Sequence, residues 1–366
     1  MFTVYLRKYK SMILLSVFFF YLGCCLTISL TRIECATTPS TNKLLKNQDE
    51  DLSTAKYIVL IISSPNNELK RDAIRATWGN LHNNIFMDDG ELIYKWNNTW
   101  VSKQSRLNIV KLYFVVGTLG LSRAKAEKLR NEQRRTKDIL QLHHVEDTYK
   151  NLSFKILNAL DWVSKNLKQM EYLIKCDDDS FVRIDLIVRD LAAYAPSMNA
   201  PAISQFISVK ENLPLYKGLY LGYFNGHAKV YLKGKWQEKS WFLCDNYLPY
   251  ALGGGYVISS SIVNYIARNM DFLSYYNSED VSMGVWTASL NAINRVHDIR
   301  FDTEWKSRGC DENMLVRHKQ TPSDMFQMYR TLVESHGEKL CKTEDLKRKT
   351  YLYDWNVLPS MCCNNS

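Results

Sequence analysis

Residues 172–182, Tyr-Leu-Ile-Lys-Cys-Asp-Asp-Asp-Ser-Phe-Val, constrain this chain more than any other stretch. An apolar run of strand length stops abruptly at three adjacent carboxylates and then resumes. Ionised neighbours repel one another, so Asp177, Asp178 and Asp179 favour a cation among them. At the end of a buried strand, an Asp-x-Asp presents hard oxygen ligands suited to Mg²⁺ or Mn²⁺. In an exposed loop the same triplet is a solvated acidic turn. The segments around it decide between the two.

The N-terminal half alternates strand and helix patterns. Residues 57–62 form a β-branched apolar run closed by Ser63-Ser64-Pro65-Asn66, and 71–78 carry helical spacing with Arg71 and Arg75 on one face. That pair suits a phosphate or a carboxylate, or simply a solvated face. A long loop with the makings of a hairpin fills 79–108. Strands are expected at 109–116 and 139–145, a basic helix capped by Ser122 at 123–136, and an amphipathic helix at 154–167. Strand-helix alternation predicts an α/β domain with a mostly parallel sheet and helices on both faces. Ligands of such sheets bind beyond the C-terminal strand ends, which is where the aspartates fall.

The second half adds a helix at 185–193 and an aromatic, strand-like region at 215–248. There Trp236, Trp241 and Tyr247 are either core residues or platforms for a sugar ring. Gly253-Gly254-Gly255 lets backbone approach a ligand closely, and no Gly-Lys-Ser/Thr follows to make it a phosphate loop. A helix is expected at 259–269. Another opens at Ser278-Glu279-Asp280, where the acids either complement the helix dipole or do chemistry. His297 and His318 could each add an imidazole to a metal.

Residues 12–30 are apolar and uncharged, nineteen residues that can span a bilayer core of ~30 Å. A cleaved signal peptide is the alternative, with a shorter apolar region. Arg7, Lys8 and Lys10 precede the span, whereas Arg32 and Glu34 cancel after it. The expectation is a type II anchor: 1–11 cytosolic, 12–30 spanning, 31–56 a polar stem and 57–366 lumenal. Sequons at Asn97, Asn151 and Asn364 agree. The formal charge of +9 would suit nucleic acid, but this address excludes it. Of nine cysteines, Cys24 and Cys25 fall in the span, leaving an odd seven. Their pairing is open, Cys176 reads as a buried free thiol, and no zinc spacing is present.

Taken in order, five pieces resemble the β-1,3-glycosyltransferase family that includes the β-1,3-galactosyltransferases. They are Arg71-x-x-Ile74-Arg75-x-Thr77-Trp78-Gly79; Glu146-Asp147-x-Tyr149-x-Asn151-Leu152-Ser153-x-Lys155; Lys175-x-Asp177-Asp178-Asp179-x-Phe181-Val182; Gly253-Gly254-Gly255-Tyr256; and Glu279-Asp280-Val281-x-x-Gly284. Ser63 stands where some relatives carry Lys, and Cys176 where a small aliphatic residue is common. The C-terminal third, with Ser307-Arg308-Gly309-Cys310, Val316-x-His318-Lys319-Gln320 and Cys362-Cys363, resembles the branch that extends the galactosyl-xylose linker of proteoglycans.

The resemblance implies a GT-A-like fold, UDP-galactose as donor, Mn²⁺ as cofactor, inversion at the anomeric carbon and a Golgi membrane address. It implies Asp179 on the metal with His318, His297 being the weaker alternative. It places Asp177 on the uridine-ribose side and Asp178 in the metal environment. Arg71, Arg75 and Lys155 fall near the nucleotide, and Asp280 becomes the base that takes the acceptor proton. For Asp280, the helix N-terminus should lower the pKa and Glu279 raise it. Two rivals stand beside this reading: another acceptor, such as N-acetylglucosamine, and a membrane-anchored glycan-binding protein without catalysis.

Overall fold

The computed structural model describes residues 17–21, 54–88, 91–96, 109–199 and 218–363. Residues 17–21 are helical, with Phe18, Phe19 and Phe20 exposed. Among the described residues no helix is long and apolar enough to cross a membrane. The rest of the expected span, most of the stem, Asn97 and Asn364 lie outside the described residues. The last residues assigned to the stem belong to the folded domain instead. Ala55 is buried, Lys56 pairs with Glu171, and its carbonyl accepts from Tyr172.

The main unit spans Glu50–Ser366. Its chain order begins β1 (Tyr57–Ile62), α1 (Glu68–Ala76), the hairpin β2 (Ile85–Asp88) and β3 (Glu91–Tyr94), β4 (Val110–Gly117), α2 (Arg123–Thr136), β5 (Ile139–Leu142) and α3 (Leu152–Asn166). It continues through β6 (Tyr172–Asp177), β7 (Phe181–Val182), α4 (Ile184–Asn199), β8 (Gly218–Asn225), β9 (Tyr250–Ser259), α5 (Ser260–Arg268) and α6 (Glu279–Ala288). It ends with β10 (Ile293–His297), β11 (Phe301–Asp302), β12 (Gly309–Cys310), β13 (Val316–Arg317), α7 (Pro322–Glu334) and β14 (Asp345–Leu346).

Seven strands form the central sheet in the order β5-β4-β1-β6-β9-β8-β10. Strands β5, β4, β1 and β6 run parallel to their neighbours, as do β8 and β10; β9 is antiparallel to both β6 and β8. The expected α/β domain with a mostly parallel sheet is therefore present. Strand β1 shows why it is buried on both faces. Tyr57, Val59 and Ile61 enter one apolar core, and Ile58, Leu60 and Ile62 enter the other. Helix α2 matches its expected bounds, with Ser122 accepting from the Lys125 N–H.

Two differences from the sequence expectation matter for the site. The glycine run lies inside β9, a ten-residue central strand. Among the described residues of the aromatic region 215–248, only β8 is a strand; residues 226–248 are turns and loop with one isolated bridge, Lys229 to Asn246. A second, small sheet, β11-β13-β7, pairs Val316 with Val182 and Arg317 with Phe181. This pairing carries the residue after β13, His318, to the C-terminal end of β6.

Candidate active site

Strand β6 runs in register with β1, Asp177 opposite Ile62, so the aspartates emerge beside the β1–α1 turn. They open into a cavity of about 700 Å³. Asp177, Asp179 and His318 each offer one ligand atom, and these atoms lie within 4.8 Å of one another. His318 Nε2 is 3.0 Å from Asp179 Oδ1 and 3.4 Å from Asp177 Oδ2. Neither ring nitrogen has the geometry of a hydrogen bond, although both are buried. An unsatisfied buried imidazole between two carboxylates fits a divalent cation, and the O,O,N set suits Mn²⁺ better than Ca²⁺. Without a cation these groups stabilise one another as charges. Burial alone would lower the His318 pKa, but the two aspartates push it up to about 9. Burial opposes ionisation of Asp177, yet Lys175 and His318 hold its carboxyl well below the usual range.

Asp178 faces the other way. Its Oδ2 accepts from Ser63 Oγ at 2.8 Å and Asn67 Nδ2 at 2.7 Å, and its Oδ1 pairs with Lys70 Nζ at 2.9 Å. It fastens the β1–α1 turn along the cavity wall, and it is not one of the converging metal-site groups. Lys155 lines the cavity, as expected. It donates to the Ser63 carbonyl and to Asp147 Oδ2, and burial lowers its pKa against the pull of Asp147.

Arg71 and Arg75 require correction: neither lines the cavity. Arg71 is fully buried and grips Glu132 through two N–H···O bonds of 2.8 and 2.6 Å. Its remaining nitrogen, Nη1, donates to Ser63 Oγ and the Ser64 carbonyl, so it shapes the turn from behind. Arg75 pairs with Asp138, Glu132 and Asp72 and covers the Phe114 ring. Their long-range carboxylate partners, Glu132 and Asp138, lie on and after α2, where the sequence pattern gave no sign of them.

Asp280 lies in the first turn of α6, half-buried at the cavity wall. The Gly253 N–H donates to its Oδ2 and the Val281 N–H to its Oδ1, both at 2.9 Å. Burial raises its pKa above the ordinary aspartate value, and the Lys175 charge and these two N–H donors only partly offset that. The net direction is upward because desolvation exceeds the favourable interactions of the carboxylate. Glu279 is buried and bonded to Tyr256 and Lys175.

Lys175 is the site residue that motif reading left without a role. Its buried Nζ touches Asp177 Oδ1 at 3.0 Å, Glu279 Oε2 at 2.8 Å and the Gly253 carbonyl at 2.6 Å. It thereby joins the metal-site end of β6 to the start of α6. A lysine inside an apolar run was the available signal, since such a charge needs buried partners.

The glycines explain the closeness of the two halves. A Cβ on Gly254 would stand 2.6 Å from His318 Cγ and Nδ1, and one on Gly253 would stand 3.2 Å from Asp280 Oδ2. They make room for the protein's own His318 and Asp280 side chains. His297 is excluded as a ligand: its Nδ1 accepts from the Phe224 N–H, its Nε2 bonds the Tyr351 carbonyl, and burial lowers its pKa to about 4. Trp236 lines the cavity, whereas Trp241 and Tyr247 pack in a satellite core. Asn151 is half-buried, its amide donating to the Glu146 carbonyl, and its sequon partner Ser153 is buried against Tyr276. Cys310 pairs with Cys341 and Cys362 with Cys363, while Cys176 is free and buried as expected.

Fold and site together define an α/β domain whose sheet end carries a cation-ready carboxylate–imidazole group and a separate, oriented carboxylate. The galactosyltransferase family model matches residues 95–298, more than half the chain. Beta-1,3-galactosyltransferase 6 of Mus musculus is 37% identical over 93% of this chain and 92% of its own length. The chain belongs to the β-1,3-galactosyltransferase family. UDP-GalNAc:beta-1,3-N-acetylgalactosaminyltransferase 2 of Xenopus laevis is 32% identical over 56% of this chain and 37% of its own. N-acetyllactosaminide beta-1,3-N-acetylglucosaminyltransferase 4 of Homo sapiens is 28% identical over 77% and 66%.

Proposed function

We propose that this protein is an inverting β-1,3-galactosyltransferase. It moves galactose from UDP-galactose to the galactose of the Gal-Xyl-Ser linker of proteoglycan core proteins. One observation carries the chemistry: a cation-ready Asp177–Asp179–His318 group and an oriented carboxylate, Asp280, share one cavity. The acceptor assignment rests on the relative aligned over nearly the whole chain.

Asp177, Asp179 and His318 would hold Mn²⁺, which when bound supplies positive charge to the leaving diphosphate. Ser63, Asn67, Lys155 and Tyr149 line the part of the cavity that would take the nucleotide, with Lys155 contributing an amine to that wall. Asp280 accepts the proton of the attacking hydroxyl. Two backbone N–H donors fix its orientation, and its raised pKa makes it a stronger base than a solvated aspartate. Inversion needs a single displacement and no covalent intermediate, so no nucleophilic side chain is required.

We place the enzyme in the Golgi as a type II membrane protein anchored by residues 12–30, with the described domain lumenal. The apolar span, the preceding basic residues and the disulfides support this address. Transfer of labelled galactose from UDP-galactose decides the acceptor. A xyloside bearing one β-1,4-galactose is expected to be the preferred substrate. Inactivity there, with transfer to N-acetylglucosamine, would replace this reading by the other acceptor class.

A further inference from the structure

We propose that Trp236 and Trp305 form the acceptor subsite, an indole corner that receives the apolar face of the accepting sugar. This inference rests on the galactosyltransfer reading above. The two residues come from opposite sides of the cavity and meet at its mouth, ring centroids 4.8 Å apart and planes at 85°.

Trp236 belongs to the Asp280 side. Its loop is closed by the Glu238 N–H donating to the Tyr231 carbonyl, and it is tied to the residue preceding Ser278. The Asn277 N–H donates to the buried Glu238 carboxylate at 2.7 Å, and the Asn277 amide donates to the Lys235 and Gln237 carbonyls. Trp236 is thus held in a fixed relation to the α6 turn that carries Asp280. Trp305 belongs to the metal side. It follows β11, and its ring lies under Lys319, 5.3 Å from Nζ, one residue beyond His318.

Trp305 is 64% exposed, a large apolar surface left in water at the entrance of a polar cavity. The apolar ring faces of a galactose match that surface, and stacking there presents the hydroxyl edge of the sugar inward, toward Asp280. The nucleotide is not the better occupant. Its phosphates require the cation-ready group of Asp177, Asp179 and His318, which is more buried than the indole, whereas a protein-bound glycan enters from solvent, past the exposed indole.

The test uses the full-length chain in detergent with Mn²⁺, UDP-galactose and the galactosyl-xyloside. Trp305→Ala should raise the acceptor KM about tenfold or more while leaving the donor KM and the acceptor-free hydrolysis of UDP-galactose unchanged. Trp236→Phe and Trp305→Phe should keep most of the wild-type acceptor affinity. Because Trp305 is exposed, its loss should not lower the melting temperature. An unchanged acceptor KM in Trp305→Ala, or a donor KM that rises as much as the acceptor KM, overturns the subsite. A wild-type enzyme that never transfers galactose refutes the function instead, so the two failures are distinct.

Discussion

His318 and Asp280 must each give up a proton before they can act, and in both the folded protein raises the pKa. In the metal-free protein His318 is held protonated up to about pH 9 by Asp177 and Asp179, and an imidazolium cannot ligate a cation. Metal binding must therefore displace a proton. Apparent Mn²⁺ affinity is expected to rise with pH from about 6 to 9, and calorimetry in buffers of different ionisation heat should detect about one proton released at neutral pH. Affinity independent of pH would remove His318 from the ligand set. Asp280 works only when ionised, and its raised pKa places the acid limb of kcat above the ordinary aspartate range; activity falls as pH drops through that value. Asp280→Asn should lower kcat about 10²–10⁴-fold with metal affinity intact, as general bases typically contribute. Retained turnover would move the base elsewhere.

At the scale of elements, β9 does the positioning. It separates the metal side from the base side, and its glycines set both distances. Gly254→Ala would push His318 aside and is expected to weaken Mn²⁺ binding about tenfold or more, read by metal titration of a folded variant. Gly253→Ala crowds Asp280 instead and should depress kcat more than metal affinity. If both variants behave alike, the two sides are not separately positioned by this strand. The sequence disclosed this strand poorly, because three glycines interrupt the apolar pattern by which strands are recognised. It disclosed β1, β6 and α2 well, since their patterns are short, continuous or capped. The aspartates and Asp280 were legible by motif. The roles of Arg71, Arg75 and Lys175 were not, because each depends on carboxylates 61 to 104 residues away.

For the whole molecule, the charged cavity is backed by further charge that is buried as paired structure behind it. The Arg71–Glu132 pair is sealed from solvent between α1 and α2 and supports the turn that Asp178 fastens. Glu132→Ala should cost about 3–5 kcal/mol of stability by leaving a buried guanidinium without its main partner, visible in chemical denaturation. A near-neutral result would mean that Arg75's partners absorb the change. The central claim, however, is that Asp177, Asp179, His318 and Asp280 form one inverting site. The most direct measurement is the anomeric configuration of the product formed from UDP-galactose and the galactosyl-xyloside, read by proton NMR with and without chelator. A β-1,3-linked galactose, formed with Mn²⁺ and abolished by chelation, is the predicted result. An α-linked product, or undiminished transfer in chelator, would contradict the account.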